Sequence, residues 1–195
     1  MRAALLARAG QLLQEEGAAA LSLRRLAGDV GTTTRAVYSV FGGKDGLLSA
    51  MYHKMGDTLT RLHDAVPEQE DPTEELRLLC LAYRESVRRH PTLYPLLFGR
   101  VPGFSPKAED EELARRGFVR VLDVLGRGSE GGHFQGRTAR DMGHELWALV
   151  HGLAILELRG KLGKPRRAVR LWEDATSNLI AGFRSAPPAS HRSIR

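Results

Sequence analysis

Five side chains between residues 33 and 39 have the chemistry to bind nucleic acid. They are Thr33, Thr34, Arg35, Tyr38 and Ser39, all hydrogen-bond donors and none acidic. Arginine pairs with guanine edges in the major groove of DNA, and threonine methyls pack on thymine methyls. Hydroxyl groups commonly hold phosphates and fix the register of a protein on the duplex. This segment therefore suits a DNA groove, although the same residue types also suit the solvated face of an ordinary helical bundle.

Two short helices are predicted to position these side chains. Ser22 precedes apolar residues at helical spacing and is a good N-cap, and Gly31 ends that helix in a left-handed conformation. Thr32, Thr33 and Thr34 offer the next cap. A second apolar face then follows over residues 36–41, and Gly42-Gly43 closes it. Two short helices joined by a tight glycine-containing turn predict a helix-turn-helix.

Residues 5–48 resemble the DNA-binding domain of the TetR/AcrR transcriptional regulators. The matching elements, at fixed spacing, are Leu12-Leu13, Glu15-Glu16-Gly17, Ser22-Leu23-Arg24-Arg25-Leu26-Ala27, Gly31, Val37-Tyr38, Phe41, Lys44-Asp45 and Leu47-Leu48. Two positions depart from the family pattern. Gly42 stands where Pro or Lys usually follows the Tyr-x-x-Phe element, and the N-terminal basic arm is reduced to Arg2. Contacts from such an arm should therefore be weak.

Lys44 adds a cation at the start of a third, longer helix, where the helix dipole also favours an anion. The DNA-binding residues we predict are Ser22, Arg24, Thr32, Thr33, Thr34, Arg35, Tyr38, Ser39 and Lys44.

The rest of the chain predicts an all-α fold, because strand-like alternation is hard to find. Helices are expected at about 2–16, 44–63, 73–90, 94–98, 109–125, 138–160 and 167–184, with a glycine-rich loop after residue 125. A Pro-containing segment at 64–72 marks a domain junction. We therefore predict a three-helix DNA-binding domain at 1–48, a linking helix at 44–63, a larger helical ligand-binding and dimerisation domain at 64–185, and a flexible tail at 186–195.

The last two predicted helices, 138–160 and 167–184, carry apolar residues around most of their circumference. Such helices must bury two sides, one against their own domain and one elsewhere. Two of them per chain would build a four-helix homodimer interface, and a large monomeric core is the alternative. The resemblance implies the dimer, since TetR-like proteins pair through their last two long helices.

A second resemblance lies in the C-terminal half. Trp147 with His151-Gly152, and the sequence YPLLFG at 94–99, are similar to one TetR subgroup. The family implies a small-molecule effector in this domain, and aromatic walls with a few polar groups suit a ligand pocket. The effector-binding residues we predict are Cys80, Tyr83, Arg84, Tyr94, Phe98, Trp147 and His151. The alternative for each of them is ordinary core packing.

Composition agrees with an anionic partner. The 195 residues carry a net charge of +6, which favours nucleic acid. Six of the cations lie between residues 159 and 170 with no acid among them, and a solvated basic loop is the simple explanation. Cys80 is the only cysteine, so no intrachain disulfide can form, which suits a reducing cytoplasm. We expect no secretory signal and no membrane span, because no uncharged apolar run reaches the roughly 20 residues required.

Enzyme-like motifs fail on their context, so we expect no catalytic residues, metal or cofactor. Gly126-x-Gly128-x-x-Gly131 follows a predicted helix rather than a strand. His144 and His151 lie seven residues apart, which separates them by about 10 Å along a helix, too far to share one zinc ion.

The sequence therefore predicts a cytoplasmic DNA-binding transcriptional regulator. Specifically, it predicts a homodimeric repressor that binds a palindromic operator in double-stranded DNA and is released by a small-molecule effector. One alternative is a small-molecule-binding or catalytic all-α protein that does not bind DNA. A second alternative is an architectural protein that binds DNA without sequence preference.

Overall fold

The computed structural model describes residues 1–94 and 104–185. Within these ranges there are eight α-helices, one 3-10 turn at Ala18–Ala20 and no β-strand, so the predicted all-α class is confirmed. The helices are α1 Arg2–Glu16, α2 Leu23–Val30, α3 Thr34–Phe41, α4 Lys44–Asp64, α5 Pro72–Arg89, α6 Ala108–Glu130, α7 Ala139–Leu158 and α8 Pro165–Gly182. No helix in the described ranges has the length and apolar character needed to cross a bilayer.

The predicted helix bounds agree with these elements except at the end of α6. We expected a glycine-rich loop after residue 125, but the helix continues through Gly126 and Gly128 to Glu130. Gly128 does not form a turn. It allows the ring of Phe134 to pack closely against α6, because a Cβ at this position would overlap that ring. The predicted segments at 95–98 and 186–195, including Phe98, lie outside the described residues.

The chain forms two compact units. The first comprises Met1–Thr58 and Arg88–Arg116. Its core is made by apolar residues of α1 to α4 that are almost completely buried. These include Leu5, Ala9, Leu12, Leu26, Val37, Leu47 and Met51. Burial of this shared core fixes α2 and α3 as the two arms of a helix-turn-helix.

The second unit comprises Leu59–Val87 and Gly117–Arg195. Its described core is built from α5, α6, α7 and α8. The largest buried side chains include Leu76, Leu79, Leu125, Leu146, Trp172, Ile180 and Phe183. Two buried charge networks cross this core. Glu75 of α5 binds Arg120 and Arg127 of α6, and Arg84 of α5 binds Glu157 of α7.

Candidate nucleic-acid interface

Helix α2 is bounded by the two residues that the sequence predicts at its ends. The hydroxyl oxygen of Ser22 accepts the backbone N–H of Arg25 at 3.2 Å. Gly31 adopts the left-handed conformation with φ 72°, and its N–H returns to carbonyl groups of the last turn. These contacts satisfy backbone groups that would otherwise lack partners at the helix ends. They also bring the chain directly to the start of α3.

Helix α3 is capped in the same way. The hydroxyl oxygen of Thr33 accepts the backbone N–H of Ala36 at 3.1 Å, and Gly42 ends the helix with φ 72°. Val37 and Phe41 are buried in the core of the unit. A helix of eight residues has little stability of its own, so the two caps and these two anchors determine its position.

The opposite face of α3 points to solvent. Tyr38 is 53% exposed whereas its neighbour Val37 is 0% exposed. Arg35, Tyr38 and Ser39 are all exposed and share one face, because residues three and four apart are neighbours on a helix. Three donors are thus presented side by side on a convex element, which is the arrangement that base-edge contacts require.

The remaining predicted DNA-binding residues surround this face to different degrees. Ser22, Arg24 and Thr33 are exposed, while Thr32, Thr34 and Lys44 are half-buried. The oxygens of Ser22 and Thr33 already accept backbone N–H groups, which leaves their hydroxyl protons to donate elsewhere.

Charges near α2 are divided between paired and unpaired arginines. Arg25 holds Glu16 through two hydrogen bonds of 2.6 Å, and this contact lowers the pKa of Glu16. Arg8 binds Asp29 at 2.8 Å. By contrast, neither Arg24 nor Arg35 forms an ion pair with any described residue. The acids of α1 and α2 are therefore neutralised, and the arginines predicted to meet DNA keep their full charge.

Sequence reasoning missed a glycine that sets the junction of α3 and α4. A Cβ at Gly46 would overlap the carbonyl oxygen of Phe41, the last residue of α3. The available signal was a glycine in the first turn of a predicted helix, where it costs helix stability and needs a reason. The reason is the close packing of α4 against the end of α3.

The sequence did not predict the packing of Arg2. Its guanidinium lies over the ring of Phe41, 5.5 Å from the centroid. At this distance a cation and an aromatic face attract one another. Arg2, the first residue of α1, therefore packs against the end of α3.

The predicted effector-binding residues that the structure describes lie on several elements. Cys80, Tyr83 and Arg84 are buried on α5 within the second unit, whereas Tyr94 is buried in the first unit. Trp147 is 42% exposed and His151 is half-buried. The ring of Trp147 lies 6.1 Å from that of Phe118 and 6.4 Å from that of His151.

Two of these residues have environments that limit their chemistry. Arg84 donates two hydrogen bonds to Glu157, at 2.9 and 2.6 Å, and Trp172 donates to the same carboxylate at 2.7 Å. Burial raises the pKa of the Cys80 thiol to about 12, which keeps it protonated at neutral pH and makes it a poor nucleophile.

Two family models match the chain. Residues 5–51 match the family described as bacterial regulatory proteins, tetR family, and residues 76–179 match the Tetracyclin repressor-like C-terminal domain. The second match alone spans more than half of the 195 residues. The narrower subgroup resemblance at Trp147 and His151-Gly152 stays a prediction. No curated protein sequence matches the chain.

Several solved structures share the fold. The TetR family transcriptional regulator PfmR from Thermus thermophilus superposes with a TM-score of 0.79 at 21% identity, covering 90% of this chain and 96% of that one. The fatty acid degradation regulator FadR from Bacillus halodurans gives 0.74 at 16% identity, covering 94% and 96%. A protein of unknown function from Rhodococcus sp. RHA1 gives 0.74 at 24%, covering 94% and 95%. At these identities the likeness shows a common fold.

Proposed function

Because the chain belongs to the TetR family of bacterial regulatory proteins and is a DNA-binding transcriptional regulator, we propose that it is a repressor that a small-molecule effector releases from its operator. The proposal includes which residues meet DNA, how two subunits pair and which part of the chain receives the effector. It assigns no catalytic step, and it places the protein in the cytoplasm, where bacterial DNA lies.

The exposed face of α3 is the observation that carries the DNA-binding part of the proposal. Arg35 would read a base edge, and Tyr38 and Ser39 would contact either bases or phosphates. Ser22, Arg24, Thr32, Thr33, Thr34 and Lys44 would hold the surrounding backbone. The absence of an ion pair at Arg24 and Arg35 among the described residues supports these roles, because no internal pair has to break when DNA binds.

A homodimer would present two copies of α3 to a palindromic operator. In a two-fold dimer the same patch of each subunit meets its copy, and half-sites lie about 34 Å apart or a multiple of that distance. Ala148, Gly152 and Leu156 support α7 as one half of the interface, because they are exposed and four residues apart on one face. Leu171, Ala175 and Leu179 of α8 repeat this spacing and are half-buried.

The effector would act through the second unit and α4. Helix α4 supplies Lys44–Thr58 to the first compact unit and the following residues to the second, which supports its role as a link. The domains we propose at 1–48 and 64–185 differ from these units, because the first unit also includes residues 88–116. The described candidates for contact with the effector are Cys80, Tyr83, Arg84, Tyr94, Trp147 and His151. Coupling requires only that the effector bind one separation of the two α3 helices better than another.

Replacement of Arg35 by Ala tests the base-reading role. We expect the variant to lose about 1–3 kcal/mol of discrimination at one operator position. The measurement is selection of preferred sequences from a random duplex pool, followed by gel-shift titration. Arg140→Ala is the matched control, because Arg140 is also exposed but lies on α7. An unchanged preferred operator for Arg35→Ala would show that Arg35 reads no base.

A charge placed on the α7 surface tests the dimer. Leu156 is 44% exposed and Val119 of α6 is 59% exposed, so Leu156→Glu and Val119→Glu are comparable changes at the surface of one unit. We expect only Leu156→Glu to produce a monomer in sedimentation velocity and to lose operator binding. A Leu156→Glu protein that remains dimeric with wild-type affinity would rule out this interface.

A further inference from the structure

The turn between α7 and α8 carries a dense and unneutralised positive charge. We call residues 159–170 the basic turn. Its six cations are all exposed: Arg159, Lys161, Lys164, Arg166, Arg167 and Arg170. The segment contains no acid, and none of the six side chains forms a hydrogen bond or ion pair with a described residue.

Most other described arginines of the same unit are paired, although Arg140 of α7 is exposed and forms no ion pair with a described residue. Arg84 is bound to Glu157, and Arg120 and Arg127 share Glu75. Arg137 and Arg184 also lie within 4 Å of acidic side chains. The unpaired charge is therefore concentrated at one place, where like charges repel one another and only an external anion can neutralise them.

Two apolar residues of the basic turn point inward. Leu162 and Ala168 are buried, while the neighbouring Lys161, Lys164 and Arg167 are exposed. Left-handed backbone at Gly160 and Gly163, with φ 68° and 81°, allows the chain to turn Leu162 beneath the surface. Pro165 is exposed and Val169 is half-buried, but the turn exposes no large apolar side chain, so its exposed surface is mainly cationic. An amphipathic membrane-binding element needs exposed apolar side chains to insert into the lipid, so this surface fits a polyanion in water better than a bilayer.

We propose that the basic turn binds the phosphate backbone of duplex DNA, independently of base sequence and in addition to the contacts made by α3. Duplex DNA presents one negative charge about every 1.7 Å along its axis, which is the kind of partner that several neighbouring cations neutralise together. Helix α8 begins at Pro165 within this turn, and its N-terminus adds the partial positive charge of the helix dipole. These contacts raise affinity for all DNA and leave base choice to α3.

Removing two charges from the turn tests this proposal. Arg166→Gln with Arg170→Gln changes two exposed residues on the first turns of α8, and Lys161→Gln with Lys164→Gln is a second, independent pair. The control, Arg116→Gln with Arg140→Gln, removes two exposed charges elsewhere and has the same net charge. Affinity for a long random-sequence duplex is titrated at a series of salt concentrations, after thermal unfolding has shown that each variant is folded.

We expect both turn variants to bind random duplex several-fold more weakly at low salt. Their plots of log affinity against log salt should be shallower by about 0.9 for each phosphate that the turn no longer neutralises, while the control keeps the wild-type slope. The preferred operator should not change. This readout is separate from the role of α3, because Arg35→Ala is expected to change base choice, whereas a turn variant is expected to change affinity and salt slope and to leave base choice unchanged.

Wild-type slopes in both turn variants would overturn the proposal. Equal reductions of slope in the turn variants and the control would also overturn it, because they would reflect net charge rather than this surface. A third result would also overturn the proposal. Wild-type protein would bind vesicles that contain anionic lipid, and both turn variants would lose this binding while their salt slopes for DNA stayed unchanged. The turn would then recognise a membrane surface.

Discussion

The helix-turn-helix and the interior of the second unit use polar side chains in opposite ways. In α2 and α3 the polar groups are exposed, and the contacts that shape the helices join residues three apart, such as Ser22 with Arg25 and Thr33 with Ala36. In the interior of the second unit Glu75 and Arg84 are buried, and their partners are partly buried. Glu75 and Arg120 are 45 positions apart, and Arg84 and Glu157 are 73 apart. The helix-turn-helix exposes polar side chains that can contact a partner, whereas the second unit uses polar side chains internally to join its helices.

This difference predicts separate consequences of mutation. Loss of an exposed donor on α3 removes an interaction with DNA and leaves the fold largely unchanged, because surface substitutions rarely alter stability. Loss of a buried charge leaves its partners without compensation inside the protein, which is among the most destabilising changes known. The largest effects on stability are therefore expected in the interior and the smallest at exposed or uncharged groups.

The largest effect is expected at Glu75, which is 0% exposed and receives hydrogen bonds from Arg120 at 2.6 Å and Arg127 at 2.9 Å. Glu75→Gln keeps the shape of the side chain and removes its charge. We expect it to lower the free energy of unfolding by about 3 kcal/mol, toward the lower end of the range for broken buried pairs because both arginines retain some exposure. Urea unfolding followed by circular dichroism measures the change.

The neighbouring acid supplies the control for Glu75. Glu74 binds Arg77 at 2.7 Å, but its side chain is 42% exposed, whereas Glu75 is fully buried. Glu74→Gln should cost less than about 1 kcal/mol, as exposed pairs generally do. Equal effects of the two substitutions would mean that burial does not distinguish the interior network from a surface pair.

The next largest effect is expected at Gly46, because the helix-turn-helix also depends on close packing at this one position. A Cβ there would overlap the carbonyl oxygen of Phe41. Gly46→Ala should therefore shift the end of α3 and cost about 1–3 kcal/mol, as overpacking does. Affinity for the selected operator should fall as well, since α3 loses its fixed position. Unfolding and gel-shift titrations of the same preparation measure both quantities.

Gly28→Ala is the matched control for Gly46. Gly28 is also helical and exposed, and a Cβ there would meet no atom within 4 Å. This substitution should stabilise the protein by up to about 1 kcal/mol, because alanine loses less conformational entropy in a helix than glycine does. Stabilisation by Gly46→Ala would contradict the packing described at Phe41.

Sequence prediction succeeded for the helix caps of the helix-turn-helix and failed for the ion pairs that join helices of the second unit. The N-caps at Ser22 and Thr33 and the terminating glycines Gly31 and Gly42 are confirmed, because each is set by neighbours within four residues. The partner of Glu75 and that of Arg84 could not be inferred, because only the packing of α5 against α6 and α7 brings them together. The loop expected after residue 125 was wrong for a more local reason. Phe134 packs on Gly128, and this side-chain contact outweighs the preference of glycine for a turn.

The contrast between regions also predicts a smaller and local effect at the α3 cap. Thr33→Ala removes the oxygen that accepts the N–H of Ala36, which should destabilise the start of α3 by about 1 kcal/mol. Hydrogen exchange of the Ala36 amide should become about fivefold faster, while exchange in the second unit should not change. Thr33→Ser keeps the hydroxyl and should restore protection. Equal exchange in Thr33→Ala and wild type would show that the cap contributes nothing.

The smallest expected effect is a pH dependence that arises at His63, a buried neutral side chain among the charge networks of the second unit. His63 is 3% exposed, and its Nδ1 lies 2.9 Å from the carbonyl oxygen of Gly117, so that nitrogen carries the proton and donates. Burial lowers the pKa of His63. The backbone carbonyls of Gly117 and Leu79 and the Asp64 carboxylate oppose this effect, and Arg120 adds to it.

The direction of the pH effect follows from this lowered pKa. An unfolded histidine takes up its proton as pH falls through about 6.5, whereas folded His63 does so only at lower pH. The unfolded state therefore binds more protons in this interval, and stability decreases as pH falls below about 6.5 and is constant above it with respect to this group. Both tryptophans lie in the second unit, so their fluorescence during urea unfolding reports its stability at each pH.

His63→Gln should make this loss of stability between about pH 6.5 and pH 5 shallower, because glutamine does not titrate. His151→Gln is the appropriate comparison. Burial also lowers the pKa of His151, but that side chain is only half-buried and should contribute a smaller part of the slope. If His63→Gln reproduces the wild-type slope while His151→Gln flattens it, the interior of this unit does not hold His63 neutral. Burial would then affect the ion pairs of this unit but not the protonation of its histidines.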